Sequence, residues 1–280
     1  MTTGSCLCGT VRWRMEAPFA RMSHCLCSMC RKSHAAPFAT YITAAKERFA
    51  FVSGEDAITD YESSPGFHRP FCSHCGSTVP ASHNPTEIAV PAGCLDDDPG
   101  MRPERHIFTA AKAPWHTITG DLPQAADYGR DSAPPTIDQP DRAGHQSGVL
   151  RGSCLCGGVA YETTTPILVA HNCHCTRCRK ARAAAHTTNG FVETKGLRFI
   201  RGEELLKVYK VPEAKFFSQA FCKVCGSGMP NLNPERPRVA IPFGTLDDDP
   251  GRGAEDHIYC DSKAPWYDIE GDLPTFEEGP

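Results

Sequence analysis

Apolar and polar residues alternate over short runs along this chain. The segments "TVRWRM" (10–15), "PFATYIT" (37–43), "TEIAVPAG" (86–93) and "HIFTA" (106–110) place every second side chain on one face, which is the period of a half-buried strand. The segments "LLKVYKV" (205–211), "RVAIPFG" (238–244) and "HIYCD" (257–261) read the same way. Gly, Pro and Asp bound the runs, as they do between strands. No long stretch keeps a 3.6-residue period, so the only helix expected is a short turn after each of two cysteine clusters. The pattern predicts a mainly β protein made of short strands.

The same pattern occurs twice. "GSCLCGTVRW" (4–13) returns as "GSCLCGGVAY" (152–161), and "FCSHCGSTVP" (71–80) as "FCKVCGSGMP" (221–230). "LDDDPG" (95–100) returns at 246–251, and "KAPWHTITGDLP" (112–123) as "KAPWYDIEGDLP" (263–274). The offset drifts only from 148 to 151 residues, the signature of a tandem duplication. Residues 1–123 and 150–280 are therefore read as two domains. Residues 124–149, rich in Pro, Gly, Asp and Gln, are read as their linker.

A net charge of −4 over 280 residues gives no global pull toward nucleic acid or membrane. No apolar run approaches the ~18 residues needed to span a bilayer, and the N-terminus has no apolar signal core. The expected location is cytoplasmic. Sixteen cysteines are then unusual. Nearly all sit in C-x-C or C-x-x-C groups, and clustered thiols in a reducing compartment point to metal rather than to disulfides.

Two kinds of cluster can be told apart. Cys6 and Cys8 in "CLCG" combine with Cys72 and Cys75 in "CSHCG", and Cys154 and Cys156 combine with Cys222 and Cys225. Four thiolates fill a tetrahedral Zn²⁺ and leave no open position. Residues i and i+2 of a regular strand stand nearly 7 Å apart, so converging on one ion needs a bend. Gly9, Gly76, Gly157 and Gly226 can supply it. Paired redox C-x-x-C motifs are the alternative, without the surrounding βαβ pattern such motifs occupy. The second kind is C-x-C-x-x-C followed by Arg-Lys: Cys25, Cys27 and Cys30 with Arg31 and Lys32, then Cys173, Cys175 and Cys178 with Arg179 and Lys180. Three thiolates leave the fourth metal position free, as in catalytic zinc. The four cations are catalytic candidates that would favour thiolates and attract an anionic substrate. The alternative is a second structural site completed by histidine, with His24 or His34 available in copy one and His171, His174 or His186 in copy two.

Other residues read as structural. Cys94 and Cys260 do not recur between copies and are expected as packed or free thiols. His106 and His257 recur and are read as structural histidines, with proton transfer near the site as the alternative. Trp115 and Trp266 are read as core, and "LDDDPG" as a solvated acidic turn.

The order GSCLCGxV, C-x-C-x-x-C-R-K, FCxxCGS, LDDDPG and KAPW…DLP resembles the glutathione-dependent formaldehyde-activating enzyme family, also called the GFA or CENP-V domain. The resemblance covers both halves. It implies two tandem Mss4-like zinc-binding domains of twisted antiparallel sheets. It also implies structural zinc at each four-cysteine set, catalytic zinc at each three-cysteine set, and a carbon–sulfur lyase of the S-(hydroxymethyl)glutathione synthase type. Up to four Zn²⁺ per chain follow, with a small thiol such as glutathione and a small aldehyde as partners. Neither membrane nor nucleic acid is expected as a partner. A non-catalytic, zinc-stapled binding module for a protein partner is the alternative. Where relatives often carry Gly after C-R-K, Ala35 and Ala183 stand here. Copy one keeps the apolar "PFATY", whereas copy two has His186, Thr187, Thr188 and Asn189 at the expected pocket, so copy one is expected to carry more of any thiol–aldehyde activity.

Overall fold

The computed structural model describes residues 1–128 and 148–279, so residues 129–147 of the expected linker lie outside the described residues. Each repeat builds the same pair of sheets. In the first, Thr2–Ser5, Arg12–Met15 and Phe49–Ser53 form an antiparallel sheet. Glu87–Pro91, Ala39–Ala45, Phe19–Cys25 and His106–Ile107 form a second sheet, antiparallel except for the last strand. The second repeat copies both, with Leu150–Ser153, Ala160–Thr163 and Leu197–Arg201, then Arg238–Pro242, Thr187–Glu193, Val169–Cys173 and Asp256–Ile258. Alternation works as read: Trp13 and Met15 are buried while Arg12 and Arg14 face water. No helix among the described residues is long and apolar enough to cross a membrane.

The two α-helices among the described residues, α1 (Ser28–His34) and α2 (Thr176–Arg182), begin inside the cysteine clusters rather than after them. Cys27 and Cys175 are the N-caps, and their sulfurs accept the backbone N–H of Cys30 and Cys178 at 3.3 and 3.4 Å. Both helices end in a left-handed residue, Ala35 at φ 48° and Ala183 at φ 50°. This conformation costs a residue with a Cβ about 1–2 kcal/mol, which accounts for glycine being the usual choice.

The two repeats interlock. Arg31 donates from Nη1 to the carbonyls of Gly244 and Leu246, and Arg179 reciprocates to those of Gly93 and Leu95, all at 2.9–3.0 Å. Lys32, 2% exposed, donates to the carbonyls of Ser153 and Thr245 at 3.0 Å and pairs with Asp247 at 2.5 Å. Lys180 reciprocates to the Ser5 hydroxyl and the Asp96 carboxylate. The first acid of each "LDDDPG" is thus a partner of the opposite repeat, while the turn itself is solvated as expected, with Asp96, Asp97 and Asp98 exposed. The tryptophans are core residues, but of the other half: Trp266 packs in the first repeat's core, and Trp115 packs edge-on against Phe243, 5.2 Å away. Residues 124–128, expected as linker, still bond back to the first repeat, Ala125 N–H to the His106 carbonyl and Phe108 N–H to that of Asp127.

The close approach requires glycine. A Cβ on Gly93 would lie 2.1 Å from the Ala184 nitrogen, and one on Gly244 would lie 2.2 Å from the Ala36 nitrogen. Backbone cannot yield as a side chain can. Gly93→Ala and Gly244→Ala should each lower stability by about 1–3 kcal/mol, seen as a fall in denaturation midpoint.

Six histidines fill the seam around Phe38 and Tyr267. His24 lies 5.0 Å from His106, His174 lies 5.0 Å from both His186 and His257, and Phe38 lies 5.5 Å from both His116 and His186. Burial pushes His116 down to about 3 and His186 well below the ordinary imidazole value. Both are neutral when folded and regain a pKa near 6.5 when unfolded, so below that pH the unfolded chain binds more protons. Stability should be complete above pH 6.5 and fall as the pH drops toward the depressed native values, by about 1.4 kcal/mol per pH unit for each histidine. Unfolding of the double variant His116→Tyr, His186→Phe, which installs the residue of the opposite repeat at each position, should show a shallower slope than the parent between pH 6.5 and 4.

Candidate metal centres

Each four-cysteine set joins two distant segments. Cys6 and Cys8 lie on the turn leaving Thr2–Ser5, where Gly9 N–H returns to the Cys6 carbonyl at 3.0 Å with φ 73°. Cys72 and Cys75 lie on a second turn, closed by Gly76 N–H to the Cys72 carbonyl at 2.8 Å with φ 78°. Sulfurs of Cys6 and Cys8 are 3.4 Å apart, and those of Cys8 and Cys72 are 3.7 Å apart. The second repeat gives 3.4 Å for Cys154 and Cys156, and 3.8 Å for Cys156 and Cys222. A tetrahedron of thiolates about 2.3 Å from zinc has edges near 3.8 Å, so the donor sets fit that ion. Hydrogen bonding to Cys72, Cys75 and Cys8 holds the Cys6 thiol far up, while the same crowding lowers Cys8. Four packed sulfurs of this kind need a cation to ionise together.

Each three-cysteine set gathers at the junction of a strand and a helix. Cys25 ends Phe19–Cys25, Cys27 caps α1 and Cys30 lies within it. Cys173, Cys175 and Cys178 occupy the same places around α2. The sulfurs within each set lie within 4.8 Å of one another, and no described His, Asp or Glu joins either group. The histidines considered as a fourth ligand are engaged elsewhere. His24 bonds Thr40 Oγ1 at 2.7 Å, and His34 bonds the Tyr41 hydroxyl and the Arg182 carbonyl. His171 bonds Asp256 and His174 bonds His257. His186 is packed beside Phe38.

Arg31, Lys32, Arg179 and Lys180 send their charged heads to the opposite repeat, so these bonds give them a docking role where substrate contact was expected. Other cations lie on the sulfur side, among them Arg177, which lines a cavity with Cys175 and Cys178. In the first repeat, buried Arg69 donates from Nη1 to Cys30 Sγ at 3.5 Å and lies 5.1 Å from the centre of the Phe67 ring. Burial disfavours its charge, but Cys30, Tyr41 and Cys27 outweigh this and hold its pKa up. In the second repeat, Gln219 replaces Arg69 and a further cation is Arg182, from the last turn of α2, pushed down to about 10 by burial against the pull of Cys178 and Tyr161. Comparing the two copies position by position would have singled out both arginines, since each faces a neutral or weaker base in the other copy.

The surroundings of the two sets differ. Cys173, Cys175 and Cys178 line a cavity of about 900 Å³, together with Arg182, Asn189, Phe216 and Gln219. Cys25 and Cys30 are buried among Ala39 and Ile107, with Tyr41, Phe108 and Tyr128 packed around them. Of the polar residues expected to line the second pocket, Asn189 does so; His186 faces the seam, and Thr188 bonds Asn172. Phe38 of "PFATY" also faces the seam. Cys94 is buried in the first core, as expected of a packed thiol. His106 and His257 belong to the seam cluster.

A family model described as "Glutathione-dependent formaldehyde-activating enzyme" matches residues 1–111 and again 149–262. The "Putative glutathione-dependent formaldehyde-activating enzyme" of Halomonas elongata is 27% identical over 128 residues, which is 44% of this chain and 82% of that protein. The crystal structure of a Rhodobacter sphaeroides protein aligns at 20% identity over 45% of this chain and 99% of its own, with a TM-score of 0.29.

Zinc-loaded protein should carry up to four ions, one per cluster. The ions in the two four-cysteine sets should resist chelator and the others leave first, a distinction that metal analysis during chelation would read. Cys72→Ser should lower the melting temperature strongly, because its metal ties together segments more than sixty residues apart. Cys27→Ser should release one ion while leaving far-ultraviolet circular dichroism unchanged. Equal unfolding by both variants would give the two cluster types the same role.

Proposed function

The chain belongs to the glutathione-dependent formaldehyde-activating enzyme family, and from that membership we propose that it is a zinc-dependent enzyme that joins or separates a small thiol and a small aldehyde. The observation that carries this reading is a three-cysteine cluster with no fourth ligand among the described residues, opening on a cavity of about 900 Å³. A closed four-ligand site would have favoured a purely structural, binding-module role.

Zinc on the three cysteines would supply a position that stabilises an incoming sulfur as thiolate. In the joining direction the sulfur attacks the carbonyl carbon, the C=O electron pair moves onto oxygen, and the proton lost by the thiol ends there. The reverse reaction breaks the carbon–sulfur bond and returns that proton to sulfur. The protein contributes fixed charge and orientation. Arg182 lines the same cavity as Cys178, where its guanidinium can meet an oxyanion or a carboxylate without reorganisation. Phe191, Phe216 and Met229 give the same cavity apolar wall, which strengthens such contacts by excluding water.

The intact zinc-loaded chain should accelerate both formation and breakdown of the glutathione–formaldehyde adduct above the spontaneous background, followed by exchange NMR. Removing both open clusters with Cys27→Ser, Cys175→Ser should abolish the acceleration. No acceleration by the fully loaded chain would move the reading to another thiol–aldehyde pair or to the binding module.

A further inference from the structure

The two three-cysteine centres sit in equivalent frames, yet four positions around them have changed in a concerted way. Each repeat carries a further arginine near its last cysteine from a different part of the fold, and Arg177, which precedes Cys178 and lines the same cavity, aligns with Met29. Arg69 of the first repeat aligns with Gln219, and Arg182 of the second aligns with His34. The glycine beneath Arg182 has changed with it. A Cβ on Gly228 would lie 1.1 Å from Arg182 Nη1, so the guanidinium occupies space that any side chain would fill. The first repeat has Thr78 at that place and no arginine above it.

The arginines also differ in their bonds. Arg69 is engaged, with Nη1 on Cys30 Sγ and Nε on the Ser63 hydroxyl at 3.1 Å. Phe67 beneath it stacks on His83 with ring centres 3.9 Å apart. His34 and Tyr41 bond each other at 2.7 Å and close another side. Arg182 by contrast keeps a buried Nη1 with no hydrogen-bond partner, beside a cavity that its own side chain lines. A buried, unmet donor on a cation is costly unless an anion arrives.

The mouth of that cavity carries further positive charge. Lys215 and Arg236 lie 5.0 and 5.9 Å from the centre of the Phe216 ring, which is 67% exposed. Arg238 lines the same cavity, and no acidic residue among the described residues does. In the first repeat the equivalents of Lys215 and Phe216 are Pro65 and Gly66, and that of Arg238 is Glu87, paired with Arg21 at 2.7 Å. The charge at this rim has been reversed between copies.

We propose that the second repeat's three-cysteine centre alone admits a ligand, that the ligand is a thiol bearing carboxylates, and that Arg182 with the Lys215, Arg236 and Arg238 rim recognises its negative end. The first centre is crowded by Arg69 and its hairpin, Glu62–Ser64 with Phe67–His68, and does not admit the ligand. This reverses the activity ranking expected from "PFATY", and it rests on the reading of the open clusters as thiol sites.

The test uses the full chain loaded with cobalt(II), whose thiolate charge-transfer band reports ligand entry at the three-cysteine centres. Glutathione should perturb the band with one equivalent per chain. The response should survive Cys27→Ser and vanish in Cys175→Ser, and chelator should strip the second centre before the first. Arg182→Gln should weaken glutathione about ten-fold or more while leaving neutral 2-mercaptoethanol unchanged. Gly228→Thr, which evicts the guanidinium without removing it, should do the same. Two equivalents, a response that follows Cys27, equal weakening of both thiols, or no response to either thiol would each overturn the proposal. One equivalent bound at the second centre without any acceleration of adduct chemistry would leave it standing and remove the enzymatic reading instead.

Discussion

The structure depends on two adjacent cations, Arg and Lys, crossing from each helix into the opposite repeat. Lys32 is buried, and so is Arg179. A buried charge needs polar partners to offset its lost hydration. Carbonyls of the opposite chain segment and one aspartate supply them in both directions. Because the same surface is used twice, the contact is self-complementary, as in a twofold dimer written into one chain. Glycine at 93 and 244 follows, since the helix ends can reach those carbonyls only if the facing backbone has no side chain. The exchange of Trp115 and Trp266 follows as well, because each "KAPW" segment is carried over the seam.

This docking explains how the metal centres are built. The residues that anchor the helix to the other repeat directly follow the third cysteine. Fixing Arg31 and Lys32 therefore fixes Cys30, and Cys27 is held by accepting the first turn's N–H. A cluster of three thiols shared between a strand end and the cap and first turn of a seven-residue helix has little intrinsic order. Here its geometry is imposed from the opposite repeat. The cations left on the sulfur side are Arg69, bonded to Cys30, in one half and Arg177 and Arg182, which line the cavity, in the other.

Duplication within one chain also lets the two halves diverge without losing the seam. The interface contacts are the same in kind on both sides, while the residues around the sulfurs are not. An arginine has moved from the strand side to the helix side, Thr78 has a glycine counterpart at Gly228, and Glu87 has a cationic counterpart at Arg238. The seam itself diverged as well. His24 faces Asn172 in the alignment, Phe38 faces His186, and His116 faces Tyr267. The imidazoles from both halves are thereby packed together and kept neutral by burial.

Much was legible from spacing alone. Cysteine order, the recurring glycines and the alternating runs identified the duplication, the four donor sets and a mainly β fold, because ligand geometry and strand period are local properties of the chain. The strands Phe19–Cys25 and Phe49–Ser53 were harder to see, since their alternation is weak and their partners lie far along the chain. What no local pattern contained was the direction of a long side chain. Arg31 and Lys32 beside three thiols read as substrate contacts, and only the opposite repeat, more than a hundred residues away, shows that carbonyls and Asp247 await them. Arg69 comes to bond Cys30, and Arg182 to line the second cavity, only when β pairing and helix docking bring them to the clusters. The chain alone determined which atoms can bind metal; the tertiary structure decided which charges face those atoms, because a flexible cation goes wherever desolvated acceptors are left unpaired.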